Sequence, residues 1–255
     1  MLRSRIIPTL LIDEGKLVKT IQFKDAKYVG DPLNAVRILN EKKIDELFII
    51  DISATTSNTE PEFSLIKRIA EECRMPLCYG GGIKNIKQME SIINLGVEKV
   101  AVSSKAINDI HFIKQAALKF GSQSIVVVVD VKKSINNKYQ IYFNNGKTLS
   151  QIDLSDFLER VIDFGAGEIV INSIDNDGMM QGYDVHLVEL IYEKIDIPLT
   201  ILGGAGSKED LKNMIKKFGI LGLGAGSMFV FKGKFRAVLI NYPNVNEKNE
   251  ILNLK

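Results

Sequence analysis

Residues 125–130 read Ile125-Val126-Val127-Val128-Val129-Asp130, five consecutive β-branched aliphatic residues and then a carboxylate. A run of that kind, without polar alternation, suits a parallel strand buried on both faces, which occurs where helices cover the sheet. Asp130 then stands at the carboxyl end of a central strand. In α/β proteins ligands bind at that end, because the loops leaving it converge above the sheet or barrel.

Outward from this stretch, apolar strand-like runs alternate with segments of helical spacing. Strands are expected over 5–11, 47–51, 76–79, 99–102, 125–130, 168–172, 197–202 and 220–223. Helices are expected over 32–41, opened by Asp31 as N-cap and Pro32 at N1, then over 60–73, up to Gly96, and over 108–120, 153–164, 184–193, 207–217 and 233–239. A polar loop over 13–30, an inserted hairpin near 133–149 around Asn145-Gly146 and a loosely held polar tail over 241–255 complete the chain. Eight strands and eight helices in alternation predict an α/β protein, a single (β/α)8 TIM barrel domain over 1–255, and about 250 residues is the usual size of one. The halves also resemble each other. Asp45-Glu46-Leu47-Phe48-Ile49 aligns with Gly167-Glu168-Ile169-Val170-Ile171, Gly81-Gly82 with Gly204-Ala205 and Gly96-Val97 with Gly219-Ile220. Such a repeat predicts two similar half barrels and two related sites on one rim.

With 33 basic and 31 acidic residues in 255, the formal net charge is +2. Interspersed charge of that balance does not predict binding to nucleic acid or to an anionic membrane. The N-terminal apolar run is far shorter than the roughly 20 residues of a membrane span and has no small-residue cleavage site, so a cytoplasmic enzyme is expected. Cys73 and Cys78 match neither a disulfide framework nor a metal spacing and read as core thiols. His111 and His186 read as surface or packing residues, and no metal-ligand or cofactor constellation is present in the sequence pattern.

Gly80-Gly81-Gly82-Ile83 and Gly203-Gly204-Ala205-Gly206-Ser207 each close a strand and open a helix, so backbone N–H groups and the helix dipole face one spot above the barrel. The strand after each supplies Ser103-Ser104 and Gly226-Ser227. Gly81, Gly82, Ser103, Ser104, Gly204, Ala205, Gly226 and Ser227 are therefore candidate phosphate-binding residues, and a doubly anionic ligand across the mouth is expected. A single such turn would be explained by tight turning alone. Two in symmetric halves favour phosphates.

IDELFIID, MPLCYGGGI, FGSQSIVVVVDVK, GAGEIVINSIDNDG, GYD and GGAG, in that order, resemble the cyclase subunit of imidazole glycerol phosphate synthase of histidine biosynthesis. The resemblance covers nearly the whole chain short of the tail. It implies a barrel that takes ammonia from a glutaminase partner in a heterodimer at the amino-terminal face of the strands and passes it through the interior. There a nucleotide with two phosphates is cleaved and cyclised between two aspartates, one ending strand one and one ending strand five. Asp130 is the second. The first falls on Leu11, which can neither give nor take a proton, so the two-carboxylate mechanism lacks half its pair. Leu202 and Met179 also stand where the family usually has polar residues, predicting an altered pocket. Lys19, Asp51 and Asp177 match family active-site positions, with Asp130, Lys19 and Asp177 as the candidate catalytic set. Arg5, Glu46, Lys99 and Glu168, at the strand starts, match the family's ammonia gate; parity could aim all four at the barrel axis, and only pairing would keep such charges buried.

FKDAKYVGDPLNAVRILNEKKIDEL, Leu11 and FVFKGKFRAVLINYP look most like the paralogous branch linked to acetamidino modification of bacterial surface sugars, in which the ammonia serves a separate sugar amidotransferase. Two other readings stay open on the sequence. One is a genuine lyase of histidine biosynthesis working with Asp130 alone, and the other is a non-catalytic conduit that activates the glutaminase.

Overall fold

The structure, a computed structural model, describes residues 3–252. Eight parallel strands close into a barrel: Arg5–Asp13, Leu47–Asp51, Leu77–Gly80, Lys99–Val102, Ile125–Lys133, Glu168–Ser173, Leu199–Leu202 and Gly222–Ala225. Each pairs with its neighbours in chain order, and the eighth pairs back to the first through Arg5 opposite Gly222. The expected (β/α)8 barrel is thus present.

Strand geometry explains its two apolar faces. Successive side chains point to opposite sides, so in the fifth strand Val126 and Val128 face the barrel interior, with Ile7, Phe48, Cys78, Ala101, Val170 and Leu202. Ile125, Val127 and Val129 face outward into the layer shared with the helices. The five aliphatic residues are at most 7% exposed, which is why the run shows no alternation. Helix starts follow local chemistry. Asp31 accepts from Asn34 N–H ahead of Pro32–Glu41, Asn85 from Gln88 N–H ahead of Ile86–Asn94, and Ser207 and Asp210 form a capping box ahead of Lys208–Phe218.

Four expectations are corrected. Residues 13–30 are not a loop: Lys16–Ile21 pairs antiparallel with the end of the first strand and with Lys24–Gly30, forming a hairpin above the rim. Its turn uses Gln22 and Phe23 at φ 50° and 64° instead of glycine, and its outer strand is polar, so neither turn nor strand had a sequence signal. The helix expected over 108–120 is two, Ser104–Asn108 and His111–Phe120. No helix spans 233–239: after the short helix Ser227–Val230 come the paired strands Phe231–Lys232 and Ala237–Val238, and Gly233 at φ 73° turns the chain between them. The hairpin near 133–149 is present, with Tyr139–Phe143 paired antiparallel to the extended end of the fifth strand.

The tail is also not loose. Val245–Leu252 is a helix whose Ile251 and Leu252 are buried, and 253–255 lie outside the described residues. The Tyr242 hydroxyl donates to the Ile6 carbonyl at 3.0 Å and accepts from Asp45 N–H at 3.4 Å, while Lys248 Nζ lies 2.9 Å from Asp45 Oδ1. Polar composition masked a clamp across the starts of the first two strands. Tyr242→Phe leaves the buried Ile6 carbonyl unmet and is expected to cost about 1–2 kcal/mol. The midpoint of urea unfolding measures it.

Candidate functional site

At the amino-terminal end of the barrel, parity does bring the four charged strand starts together. Arg5 Nη2 donates to Glu168 Oε1 at 2.8 Å and Arg5 Nη1 bonds Glu46, while Lys99 Nζ donates to Glu46 Oε1 at 2.9 Å and to Glu168 Oε2 at 2.8 Å. Thr200 Oγ1, unforeseen, adds a bond to Glu168 Oε1 at 2.5 Å. The result is a ring of alternating sign without net charge. Burial opposes ionisation of Glu168, yet Arg5 and Lys99 outweigh it and hold the carboxyl below its ordinary range. Burial likewise works against charged Arg5 and Lys99, and Glu168 and Glu46 reverse it, raising both.

Above the ring the interior is apolar. The rim cavity, about 330 Å³, descends to Phe48, Ala101, Val128 and Leu202, and its walls include none of Ile7, Cys78, Val126, Val170 or the ring residues. Among the described residues a layer of buried apolar side chains lies between that cavity and the ring, across the through-passage implied by the resemblance. Side chains fill it, and the paired charges shut its lower end. Cys78 belongs to this filling as a core thiol, its pKa pushed up by burial and then by Glu46; Cys73 is half-buried at its helix end.

At the upper end Asp130, 9% exposed, faces the cavity beside Asn172 of the sixth strand, whose Nδ2 donates to Asp130 Oδ1 at 2.9 Å. Burial raises the Asp130 pKa to about 7, the Asn172 bond pulls against this, and the charge of Asp177 adds to it. Lys19 and Asp177, separated by most of the chain, meet under the first hairpin: Lys19 Nζ lies 2.9 Å from both Asp177 oxygens, and Thr20 Oγ1 bonds the same carboxylate at 3.2 Å. Both charges are buried, at 5% and 7% exposure, so they persist only as a pair. The hairpin is held down further by Gln22 N–H on the Asp177 carbonyl at 2.8 Å.

Leu11 and Leu202 both line this cavity, together with Ile50 and Phe23; Met179 does not, so two of the three apolar residues expected there face it. Asp51 also lines it, but its Oδ1 accepts from Ser53 N, Ser53 Oγ and Ala54 N at 2.9–3.0 Å and ties the turn after strand two. Gly81 backs onto that residue. At φ 126° a Cβ there would sit 2.5 Å from the Asp51 carbonyl oxygen, so only glycine fits.

The two glycine turns are not equivalent in the fold. Gly81, Gly82, Ser103 and Ser104 line the cavity, and the Ser103 hydroxyl oxygen is buried without a hydrogen-bond partner. Lys84 and Lys105, not foreseen, line the same end; each directly follows its turn motif, and that was the available signal. Of the second set only Gly226 reaches the cavity. Gly204, Ala205 and Ser227 lie outside it, the Gly204 carbonyl accepts from Gly182 N–H at 2.9 Å, and the Lys19 stem packs where a Cβ of Gly226 would be. The two turns thus differ in their relation to this cavity, while Ser227 Oγ, like Ser103 Oγ, is buried without a partner. Thr9 and Asn172 were also missed. Asn172 had a signal, since it ends an apolar strand as Asp130 does.

His111 is exposed, its ring edge-to-face with Phe164 at a centroid separation of 5.2 Å, and His186 is exposed. Among the described residues no cluster of three potential metal ligands occurs, and no helix is long and apolar enough to cross a membrane.

The family model described as "Histidine biosynthesis protein" matches residues 5–236. A Leptospira borgpetersenii protein named "Putative imidazole glycerol phosphate synthase subunit HisF" is 52% identical over 252 residues, 98% of this chain and 99% of that protein. The Pseudomonas aeruginosa protein with the same printed name and the suffix hisF2 is 46% identical over 247 residues, 97% and 98% of the two chains. The Streptococcus mutans "Imidazole glycerol phosphate synthase subunit HisF" is 36% identical over 229 residues, 90% and 91%.

Proposed function

We propose a function from the premise that this chain belongs to the histidine biosynthesis protein family. It is the cyclase-type barrel of a glutamine-dependent complex of the imidazole glycerol phosphate synthase kind, paired in the cytoplasm with a glutaminase whose ammonia it receives. We infer further that this ammonia serves acetamidino-sugar formation, through a separate sugar amidotransferase, and not the histidine-pathway nucleotide.

The observation that carries this reading is a mismatch between the two ends of the barrel. At one end Arg5, Glu46, Lys99 and Glu168 keep every bond of a closed ring. At the other, the first of the two acid-base positions is Leu11, which faces the cavity as hydrocarbon. Glutaminase docking must loosen the ring and shift the apolar layer above it for ammonia to rise. The ligand end of the cavity, with Gly81, Gly82, Ser103 and Ser104, takes a phosphorylated small molecule; Lys19, Asp130 and Asp177 orient it or move protons.

The test uses the purified complex with its cognate glutaminase. Supplied with the histidine-pathway nucleotide and glutamine, it is expected to form no imidazole product at a normal cyclase rate, and brisk turnover would overthrow the reading. Leu11→Asp is the companion: a gain of cyclase turnover of about 10²-fold or more, the scale of one acid-base group, would show that this position separates the branches.

Two other readings have support of their own. Asp130 with its pKa near 7 suits proton transfer at neutral pH, which favours a genuine histidine-pathway lyase. The apolar Leu11 in the cavity wall favours a conduit without chemistry, and an Asp130→Asn complex with undiminished nitrogen transfer would establish that.

A further inference from the structure

We propose that Asn172 and Asp130 together form a two-acceptor site for ammonia at the upper end of the barrel interior, with Asn172 as the positioning residue for the Asp130 carboxylate. The proposal deepens the ammonia-receiving reading of this site and rests on it.

Geometry supplies the argument. Asn172 and Asp130 lie directly opposite on adjacent strands, and the carboxamide NH2 donates to Asp130 Oδ1 at 2.9 Å. That bond fixes the amide, because turning it over would set its oxygen against a carboxylate oxygen. Asn172 Oδ1 is thereby aimed away from Asp130, buried, and without a partner, on a residue only 5% exposed that lines the cavity. A buried amide oxygen with no donor is costly, so the site is made for a ligand that brings one. The space for that ligand is the cavity that Asn172 and Asp130 both line; on the other side Gly203, at φ 93°, packs closely, since a Cβ there would lie 3.1 Å from the amide oxygen and 2.5 Å from the Ser173 carbonyl oxygen.

The chemistry of the ligand follows from what the site lacks. Asn172 Oδ1 and the second Asp130 oxygen only accept while Asp130 is ionised, so the occupant must be small and bring donors of its own, which ammonia under the proposed function does, and Val128 and Leu202 line the same cavity with hydrocarbon. Ammonia offers three N–H bonds and ammonium four. The charged groups near Asp130 are Asp177 from the loop after strand six and Lys19 from the first hairpin, paired with each other. Leu11 and Asn172 add no charge, Tyr142 lies across from Asp130 on the hairpin strand, and Asp51, Lys84 and Lys105 stand on the other cavity walls. Among the described residues Asp130 forms no ion pair, and Lys19 is paired with Asp177.

The experiment follows the Asp130 carboxyl by carbon-13 NMR of aspartate-labelled full-length protein, the resonance being identified by its loss in Asp130→Asn. Ammonium chloride is the probe and sodium chloride at equal ionic strength the control. Ammonium is expected to lower the Asp130 midpoint from about 7 well beyond any effect of sodium. In Asn172→Val the midpoint should rise by about one pH unit with the lost hydrogen bond, and the ammonium-specific drop should vanish. Asn172→Thr, whose hydroxyl can still donate to the carboxylate, should recover part of the midpoint and guards against a fold defect in the valine variant. An unchanged midpoint in Asn172→Val, or equal responses to ammonium and sodium, overturns the proposal. Neither glutaminase nor an acceptor substrate is present, so this result stands or falls separately from the assignment of the complex.

Discussion

Replacing Asp130 with asparagine is expected to reduce glutamine-dependent nitrogen transfer by about 10²- to 10⁴-fold, the range of a single general acid-base group. The same substitution should make the barrel more stable at neutral and alkaline pH. Both effects come from one environment, because burial holds the Asp130 pKa near 7 against an ordinary 3.8. A carboxyl raised in this way binds its proton more tightly when folded than when unfolded. Its stability contribution is complete below about pH 4 and is lost as pH rises through 7, where the buried charge stands uncompensated. Three pKa units correspond to about 4 kcal/mol at most, and Asn172 already offsets part of it. Thermal unfolding of the two proteins at pH 5 and pH 8 checks the sign: the curves should lie closer at pH 5 and separate at pH 8, with the asparagine variant higher. The pH profile of transfer by the unmodified complex should rise through about 7 as the carboxyl ionises. A variant that matched the parent in both rate and stability would remove Asp130 from the site chemistry.

The second large effect belongs to the ring. Glu168 meets Arg5, Lys99 and Thr200 at once while its side chain is 6% exposed. Glu168→Ala leaves two cations sharing Glu46 alone, and breaking a buried pair from one side costs about 3–5 kcal/mol. In a chain of this size each kilocalorie moves the melting temperature about 2–4 °C, so a fall on the order of 10 °C is expected in a thermal scan. Glu168 also has its pKa lowered from 4.5, so the stability it contributes is present above that value and lost as pH falls below it. The variant should accordingly lose most of the difference from the parent in acid. On the proposed reading of the ring as an ammonia inlet, glutamine hydrolysis in the complex should continue while transfer falls, since an inlet without Glu168 would no longer close against water.

How the chain divides between what was legible and what was not follows from the range of the interactions. The alternation of apolar runs and 3.6-residue patterns, the cap at Asp31 and the glycines at positions 81 and 82 are set by neighbours within a few residues, so the barrel could be read from composition and spacing. Period two within strands was enough to aim Arg5, Glu46, Lys99 and Glu168 at one axis. The hairpin over 16–30, by contrast, has no glycine in the turn between its strands and an outer strand exposed over its first five residues, and its burial of Lys19 depends on Asp177 across the barrel. The helix near the C-terminus is held by Asp45 and the Ile6 carbonyl from the other end of the chain. By itself, then, the sequence determined the closed barrel, the carboxylate at position 130 and the leucine at position 11. Only tertiary structure decided that the second glycine turn lies apart from the cavity, that the axis is filled, and that Asn172 holds Asp130. Those outcomes depend on long-range packing and on the desolvation it imposes, which no local pattern encodes.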